Sequence, residues 1–582
     1  MGFELFNVRL RFSKCGVKVR KKIVELLARD ASRANNFCLK DYLINFGFEM
    51  SEEFDVVIIG SGVSGLLSAA LLSRSGMKVL VLEKHYLIGG YLQGFERKDF
   101  VFDTAIHWLN QYNEEGTITR VFKMLGADFP RPQLMERIQR HISNHHDYLL
   151  TNNPDELRDR LIQDFPHEEA GIIRFFNVAK RIAKVSLRFA EFFQSVETKS
   201  SLEIPFFRMK QLGIIYPLIP YAMYSGDEGV KKGLSKFFKD PKLQELFCTE
   251  RDLLSCIFPI AWAYNSDYQN PPIGGSQVIP EWLEKQADAE KCEIRLSSEV
   301  IGFDMEQDRI TGVRYKNRGK EYSVKTKYVI AACDVDLLYR KLVPAEFVPK
   351  KFFETLNDSE MYSSSVTISV ALDCPAEDLG FGHELTLICE ESSTRDEHSS
   401  GDPHKSAISV LAPTVRDHTL SPEGKGTLTL YVPAWMDYMN NWQTGKNAKG
   451  DFVRTEAYKK LKDEFAQIIL DRVSEKMCPE LRKHILFYEV ATPITYYRYT
   501  GNKNGTMMGT RPGKKNMQSK IAHYRTPVQN LVVGGQWAEL GGGVPIAVKT
   551  AFNASLIILK KWDKMKFQKL LDAYKKGMKL NS

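Results

Sequence analysis

Three things are scarce in this chain of 582 residues, and each scarcity narrows what the protein does. Long apolar runs come first. The longest candidate, "LGIIYPLIPYAMY" from Leu212 to Tyr224, is interrupted by Pro217 and Pro220 and falls short of the roughly 20 residues that span a bilayer, so no spanning helix is predicted. Cysteine comes second: the nine present are odd in number, scattered and never at metal-ligand spacing, which fits a reducing compartment and calls for no metal. Basic stripes interleaved with aromatics come third, and without them nucleic acid is not an expected partner. Residues 1–49 also lack the continuous apolar stretch of a secretory signal. They read as an N-terminal extension, either an amphipathic or transit segment or a stretch ahead of a natural start at "MSEEFDVVIIG". Cytoplasmic localisation is the expectation, with organelle targeting by residues 1–49 left open.

What is present is ordinary for a globular chain, with 43% hydrophobic and 26% charged residues, and the length suits two lobes or one lobe inserted into another. The net charge of +8 gathers in "NVRLRFSKCGVKVRKK" near the start and "KKWDKMKFQKLLDAYKKGMK" at the end. Such ends suit peripheral contact with anionic lipid and equally suit solvated helix faces whose Lys stems cover apolar surface. The Phe-rich stretch from His167 to Val196, with "IIYPLIPYAMY", forms either a membrane-dipping rim or packed core.

The informative stretch is "VVIIGSGVSGLLSAALLSRSGMKVLVLEKHYLIGGY" from Val56 to Tyr91. Phe54–Ile59 reads as a buried parallel strand, and Gly60, Gly62 and Gly65 stand at G-x-G-x-x-G spacing where a helix opens toward Ser75. The first glycine permits a tight turn, the second lets backbone approach a pyrophosphate, and the third lets helix pack on strand. Ser61 and Ser64 share that turn. After Gly76, "KVLVL" forms the next strand, with Glu83 at its tip to accept ribose hydroxyls and Lys84 beside it. This much leaves NAD and FAD undecided; the following pair Gly89 and Gly90 favours FAD. Far downstream, "NLVVGGQWAELGGGVPIAVKTAFNAS" (530–555) supplies a strand, a glycine-rich turn and Pro545 at an expected first helical position. Gly535, Gln536, Gly543, Val544 and Pro545 are therefore read as the far wall of the same site, where a helix N-terminus stabilises charge on a reduced flavin.

In order along the chain, the fingerprint, "EKHYLIGG", "FDTAIHWL" (102–109), "GGSQVIPEWL" (274–283), "RYTGNKNG" (498–505) and "GGQWAELGGGVP" (534–545) resemble the phytoene desaturase, carotenoid isomerase and retinol saturase superfamily of flavoproteins. The resemblance runs from about 54 to 560, and "FDTAIHWL" with "RYTGNKNG" lie nearer the saturase and isomerase branch. It implies an α/β fold: a glutathione-reductase-like FAD-binding Rossmann lobe assembled from residues 50–130, 271–345 and 526–562. An inserted α+β substrate lobe comes from 131–270 and 346–525, and a basic tail from 563–582. It also implies non-covalent FAD, Val300 holding adenine through its backbone, and a hydrophobic polyene substrate. Ala105 stands where the superfamily has glycine, and Gln536 and Trp537 where it has small or acidic residues.

His107 and Glu539 are the candidate catalytic residues, because each sits inside a cofactor-adjacent motif. Only one dinucleotide fingerprint is visible, so a reductase would draw electrons from transiently bound NAD(P)H or from a separate redox donor. Saturation of a conjugated bond leads the expected reactions, with cis-trans isomerisation and desaturation behind it. A prenyl-binding escort of the Rab GDI kind, which needs no FAD, is the alternative from another class.

Overall fold

A computed structural model describes residues 52–390, 394–448, 450–577 and 580, so the expectations for residues 1–49 lie outside the described residues. Two seven-stranded sheets organise the rest. The strand β1 (Glu53–Ile59) leads through a glycine turn into the helix α1 (Val63–Arg74) and returns as β2 (Val79–Leu82), parallel to β1. Cys292–Arg295 extends the sheet beyond β2, and Lys320–Ala331 pairs with the other edge of β1. That last strand changes partner along its length. Its first half runs antiparallel to Arg309–Asn317, which pairs onward with Ser298–Glu306, and its last three residues run parallel to Leu531–Val533. Val56, Val57 and Ile58 are fully buried, as a central parallel strand covered on both faces requires.

The second sheet has the order Ile485–Ala491, Ser364–Leu372, Gly426–Ala434, Ile408–Leu411, Leu385–Ile388, Arg137–Ile142, Asp147–Thr151. Its central strands alternate cleanly. Val366, Ile368, Val410, Leu430 and Val432 point into an apolar core closed by the helix Glu456–Lys476, while the intervening residues face the other way.

Three local expectations change. Gly543–Trp562 is long and apolar enough to cross a membrane by length and composition, yet it is a largely buried core helix packed against α1, where Ser68 Oγ reaches Ala551 O at 3.4 Å. Pro545 is its third residue and not its first, a position that still needs no amide donor because first-turn amides have no intrahelical acceptor. The expected basic tail is a helix, Lys564–Lys576, whose Leu570, Leu571 and Tyr574 are buried, with the Tyr574 ring stacked 4.8 Å from Phe193.

The Phe-rich stretch also divides. Phe175 and Phe176 are core residues against Phe238 and Phe247, so they form no rim. The exposed apolar surface belongs to the following helix, Glu203–Ile215, and its continuation: Leu202, Phe206, Met209, Leu212, Tyr216 and Met223 are all exposed.

Candidate active site

Two helix N-termini open into one cavity of about 730 Å³. Gly62 is the N-cap of α1 and Gly542 that of Gly543–Trp562, and neither helix has a side chain capping its first-turn amides. Uncapped first turns facing a cavity are receptors for anionic groups such as phosphate. A Cβ on Gly62 would meet nothing within 4 Å, whereas one on Gly65 would lie 1.9 Å from Gly60 O. The first glycine thus leaves room for a ligand and the second lets α1 close on the turn. These features fit a dinucleotide.

Gly60, Gly62, Ser64, Glu83, Lys84, Gly89, Gly90, Val300, Gly535, Gln536, Gly543 and Val544 all line this cavity. Ser64 Oγ accepts from Gly535 N at 2.9 Å, joining the first turn to the last one across 471 positions. Three sequence-predicted residues do not line it. Ser61 is buried beneath the turn, where its amide and hydroxyl donate to Glu83 Oε2 at 2.8 and 2.9 Å; Gly65 is inside α1; and Pro545 faces a second cavity. Glu83 Oε1 also accepts from His85 N at 2.8 Å. Three of the roughly four acceptor positions of a carboxylate are therefore taken, leaving one for a ribose hydroxyl where two were expected. Burial pushes the Lys84 ammonium below its usual range, against the attraction of Glu83 and Glu299.

A second cavity, of about 1280 Å³, shares Ile106, Met507, Gly543 and Val544 with the first as lining residues. His107 and Trp108 stand on its wall, the His107 ring stacked on Tyr431 with centroids 5.8 Å apart. Burial, reinforced by the Arg416 guanidinium, pushes the His107 imidazole down to about 3. At neutral pH it is uncharged, a neutral hydrogen-bonding group on the wall of this cavity. Glu539 lines neither cavity. Its carboxylate accepts from Tyr524 Oη at 2.6 Å and pairs with Lys549, so its place beside the reacting ring is not the one its motif suggested.

The model of the family described as flavin containing amine oxidoreductase matches residues 63–559, a span that takes in the larger cavity and all of the smaller one except Ile59, Gly60 and Gly62. The chain belongs to this family. It is an FAD-dependent enzyme of the oxidoreductase or isomerase kind, and its motifs resemble those of the carotenoid and retinol flavoproteins. Among curated relatives, the chloroplastic prolycopene isomerase of Daucus carota is 26% identical over 93% of this chain and 85% of its own length. The all-trans-retinol 13,14-reductase of Danio rerio is 25% identical over 87% of this chain and 86% of its own length. Among solved structures, an oxidoreductase from Methanosarcina mazei superposes with a TM-score of 0.53 at 17% identity, covering 88% of this chain and all of that one, and shares the fold.

The family motifs that sequence reading left without a task act as braces near the smaller cavity. Asp103 of "FDTAIHWL" accepts from the amide and hydroxyl of Ser276, both at 2.7 Å, and Asp417 accepts from Gly274 N at 2.7 Å, so two carboxylates hold the "GGSQ" turn. Burial raises the Asp103 carboxyl, against the bonds from Ser276. Asp334 caps the short helix beginning at Val335 and also accepts from Lys503 N at 2.8 Å; burial pushes its carboxyl up to about 6. Tyr91, missed in the sequence, donates to Thr506 O at 2.6 Å and accepts from Asn502 at 3.2 Å, fastening "RYTGNKNG" to the second glycine turn. Its signal was its position one residue after Gly90. Among the described residues one trio, Asp373, Cys374 and His484, brings metal-capable atoms within 4.8 Å of one another, and none of the three lines either cavity.

Proposed function

We propose that the protein saturates a conjugated carbon-carbon double bond of a long isoprenoid, a retinoid or carotenoid, in the manner of a retinol saturase. The observation that carries this reading is the junction of a dinucleotide cavity with a larger, separate cavity at Ile106, Met507, Gly543 and Val544. Similarity to a retinol reductase and to prolycopene isomerases supports the substrate class. In this reading Gly60, Gly62, Ser64, Gly89 and Gly90 receive the pyrophosphate side of FAD, Glu83 and Val300 the adenosine side, and Gly535, Gln536, Gly543 and Val544 the ring side. When bound, FAD supplies hydride transfer at the double bond. The chain contributes position and exclusion of water: Ile106 and Met507 are apolar walls at the junction, and the positive end of Gly543–Trp562 stabilises negative charge there.

The exposed apolar strip from Leu202 to Met223 provides a peripheral membrane contact through which a lipid-soluble substrate enters. Electrons come from NAD(P)H bound transiently or from a separate redox donor, since one fingerprint serves FAD alone. Cis-trans isomerisation is the second reading, favoured by the prolycopene isomerase relatives. An escort role of the Rab GDI kind does not need two uncapped helix ends facing one cavity.

The test begins with the visible spectrum of the purified protein, which should carry the flavin band. Anaerobic incubation of the reduced protein with all-trans-retinol or lycopene isomers then separates the readings by product mass. A gain of two hydrogens supports saturation, unchanged mass supports isomerisation, and a loss of two from the oxidised protein supports desaturation. A colourless protein defeats all three.

A further inference from the structure

One cluster of side chains lies apart from both cavities, at the rim of the second sheet. There the strand Ser364–Leu372 ends and the edge strand Ile485–Ala491 begins. The register between them slips between Ala371 and Leu372, and beyond the slip Asp373 N donates to His484 O at 3.0 Å. Asp373 and His484 are thus held abreast across 111 positions of chain, and Cys374 follows directly. Sequence spacing does not announce this group, because the sheet and not the local chain brings it together.

Three kinds of donor meet here. A carboxylate oxygen, a thiol sulfur and an imidazole nitrogen, one from each residue, all lie within 4.8 Å of one another. His484 Nδ1 is 2.8 Å from Asp373 Oδ1, and the Cys374 thiol is bonded to the same carboxylate. The neighbouring Lys425 ammonium donates to the Asp373 carbonyl oxygen at 3.1 Å and leaves the carboxylate to the other two. Burial, and after it the charges of Asp373 and Asp378, push the Cys374 thiol up, so a thiolate is disfavoured beside these carboxylates until a cation stands between them. The Asp373 and His484 side chains are 41% and 35% exposed, which gives an ion a way in from solvent. A tetrahedral zinc ion binds sulfur at about 2.3 Å and nitrogen or oxygen at about 2.0–2.2 Å, setting its donors roughly 3–4 Å apart. Side-chain rotation brings the cluster to that spacing.

We infer that Asp373, Cys374 and His484 form a zinc site at the rim of the second sheet, with water as the fourth ligand. A mixed sulfur, nitrogen and oxygen set selects zinc over magnesium and calcium, which take oxygen ligands. Binding forms three bonds from protein to zinc and breaks the Cys374 S–H bond, whose proton goes to solvent. His484 coordinates as neutral imidazole through Nδ1, its ring proton standing on Nε2. Ser365 and Thr367 of the same strand line the larger cavity, whereas the three ligands line neither cavity. The ion is therefore a staple between the end of a cavity-wall strand and the edge of its sheet, and it takes no part in the flavin's chemistry.

The flavin-loaded protein is incubated with zinc sulfate, freed of loosely held metal by gel filtration, and its zinc counted per chain. Titration calorimetry in two buffers of different ionisation enthalpy reads affinity and proton release together. About one zinc per chain is expected, with about one proton released for each zinc bound. Cys374→Ser and His484→Gln should each weaken binding roughly a hundredfold or more, and Cys374→Ser should also abolish the proton release. Flavin per chain should be equal in wild type and variants, since none of these residues lines the smaller cavity. Failure of the wild-type protein to retain zinc overturns the inference, as does undiminished binding in either variant, which would put the metal elsewhere on the chain. Should one variant fail to fold, the other and the wild-type count still decide.

Discussion

The two sheets solve opposite problems with the same secondary structure. In the first, β1 and β2 are buried on both faces, and what meets the cofactor is the end of the sheet, where Gly60, Gly62, Gly89 and Gly90 present backbone. In the second, one face builds a core and the other presents side chains to the larger cavity. On the function proposed, cofactor recognition is a matter of backbone shape and substrate recognition a matter of side-chain chemistry. Substitutions on the glycine turns should abolish cofactor binding outright, and substitutions on the second sheet should redirect what is bound.

The largest effect that would break this contrast is expected at Gly65. A Cβ there falls 1.9 Å from Gly60 O, so Gly65→Val must part α1 from β1; flavin per chain, measured by absorbance after purification, should fall close to zero. Retention of flavin by that variant would show that backbone closeness is not what matters. Next is Glu83→Ala, which removes the acceptor of three internal hydrogen bonds as well as the position left for ribose. At about 1.5–3 kcal/mol for bonds to a charged group, FAD affinity should fall by roughly tenfold to a hundredfold, read by titrating the apoprotein.

Glu539→Gln sharpens the comparison from outside both cavities. It weakens the ties to Tyr524 and Lys549 and should lower stability by about 1–3 kcal/mol in a denaturant titration. Turnover per bound flavin should be unchanged, and a selective loss of turnover would return Glu539 to the chemistry. The smallest effect concerns pH. His107 is held at about 3 in the fold against 6.5 in an unfolded chain, so its contribution is complete above pH 6.5 and is lost as pH falls toward 3. Between pH 6.5 and 5.5 stability should drop by about 1 kcal/mol from this residue, obtained as the difference between wild-type and His107→Gln unfolding curves.

The cofactor half was legible because its signals are local. A strand, three glycines at fixed offsets and an acid at the next strand's end are consecutive in the chain, and the residues they name line one cavity, with Ser61, Gly65 and Pro545 as the exceptions. The second sheet was half legible for a physical reason. "SSVTISVAL" and "GTLTLYVPA" alternate in hydropathy, so they read as strands. Arg137–Ile142, "RIQRHI", does not, because Arg140, paired with Asp147 at 2.7 Å, shares the face of the buried Ile138, so polar residues occur on both faces. Glu539 was misplaced because proximity in sequence to a glycine motif says nothing about which way a side chain points. The braces at Asp103, Asp334 and Tyr91 join positions far apart in the chain, such as Tyr91 and Thr506, and no spacing rule reaches that distance.

The hydrogen bond from Gly535 N to Ser64 Oγ, with Leu531–Val533 pairing onto the end of Lys320–Ala331, has a consequence for biosynthesis. The fingerprint leaves the ribosome well before its opposite wall, which is translated 471 positions later. A nascent chain stalled before residue 531 would carry the glycine signature and still be unable to retain its pigment. A flavin band would therefore report that both walls have been made.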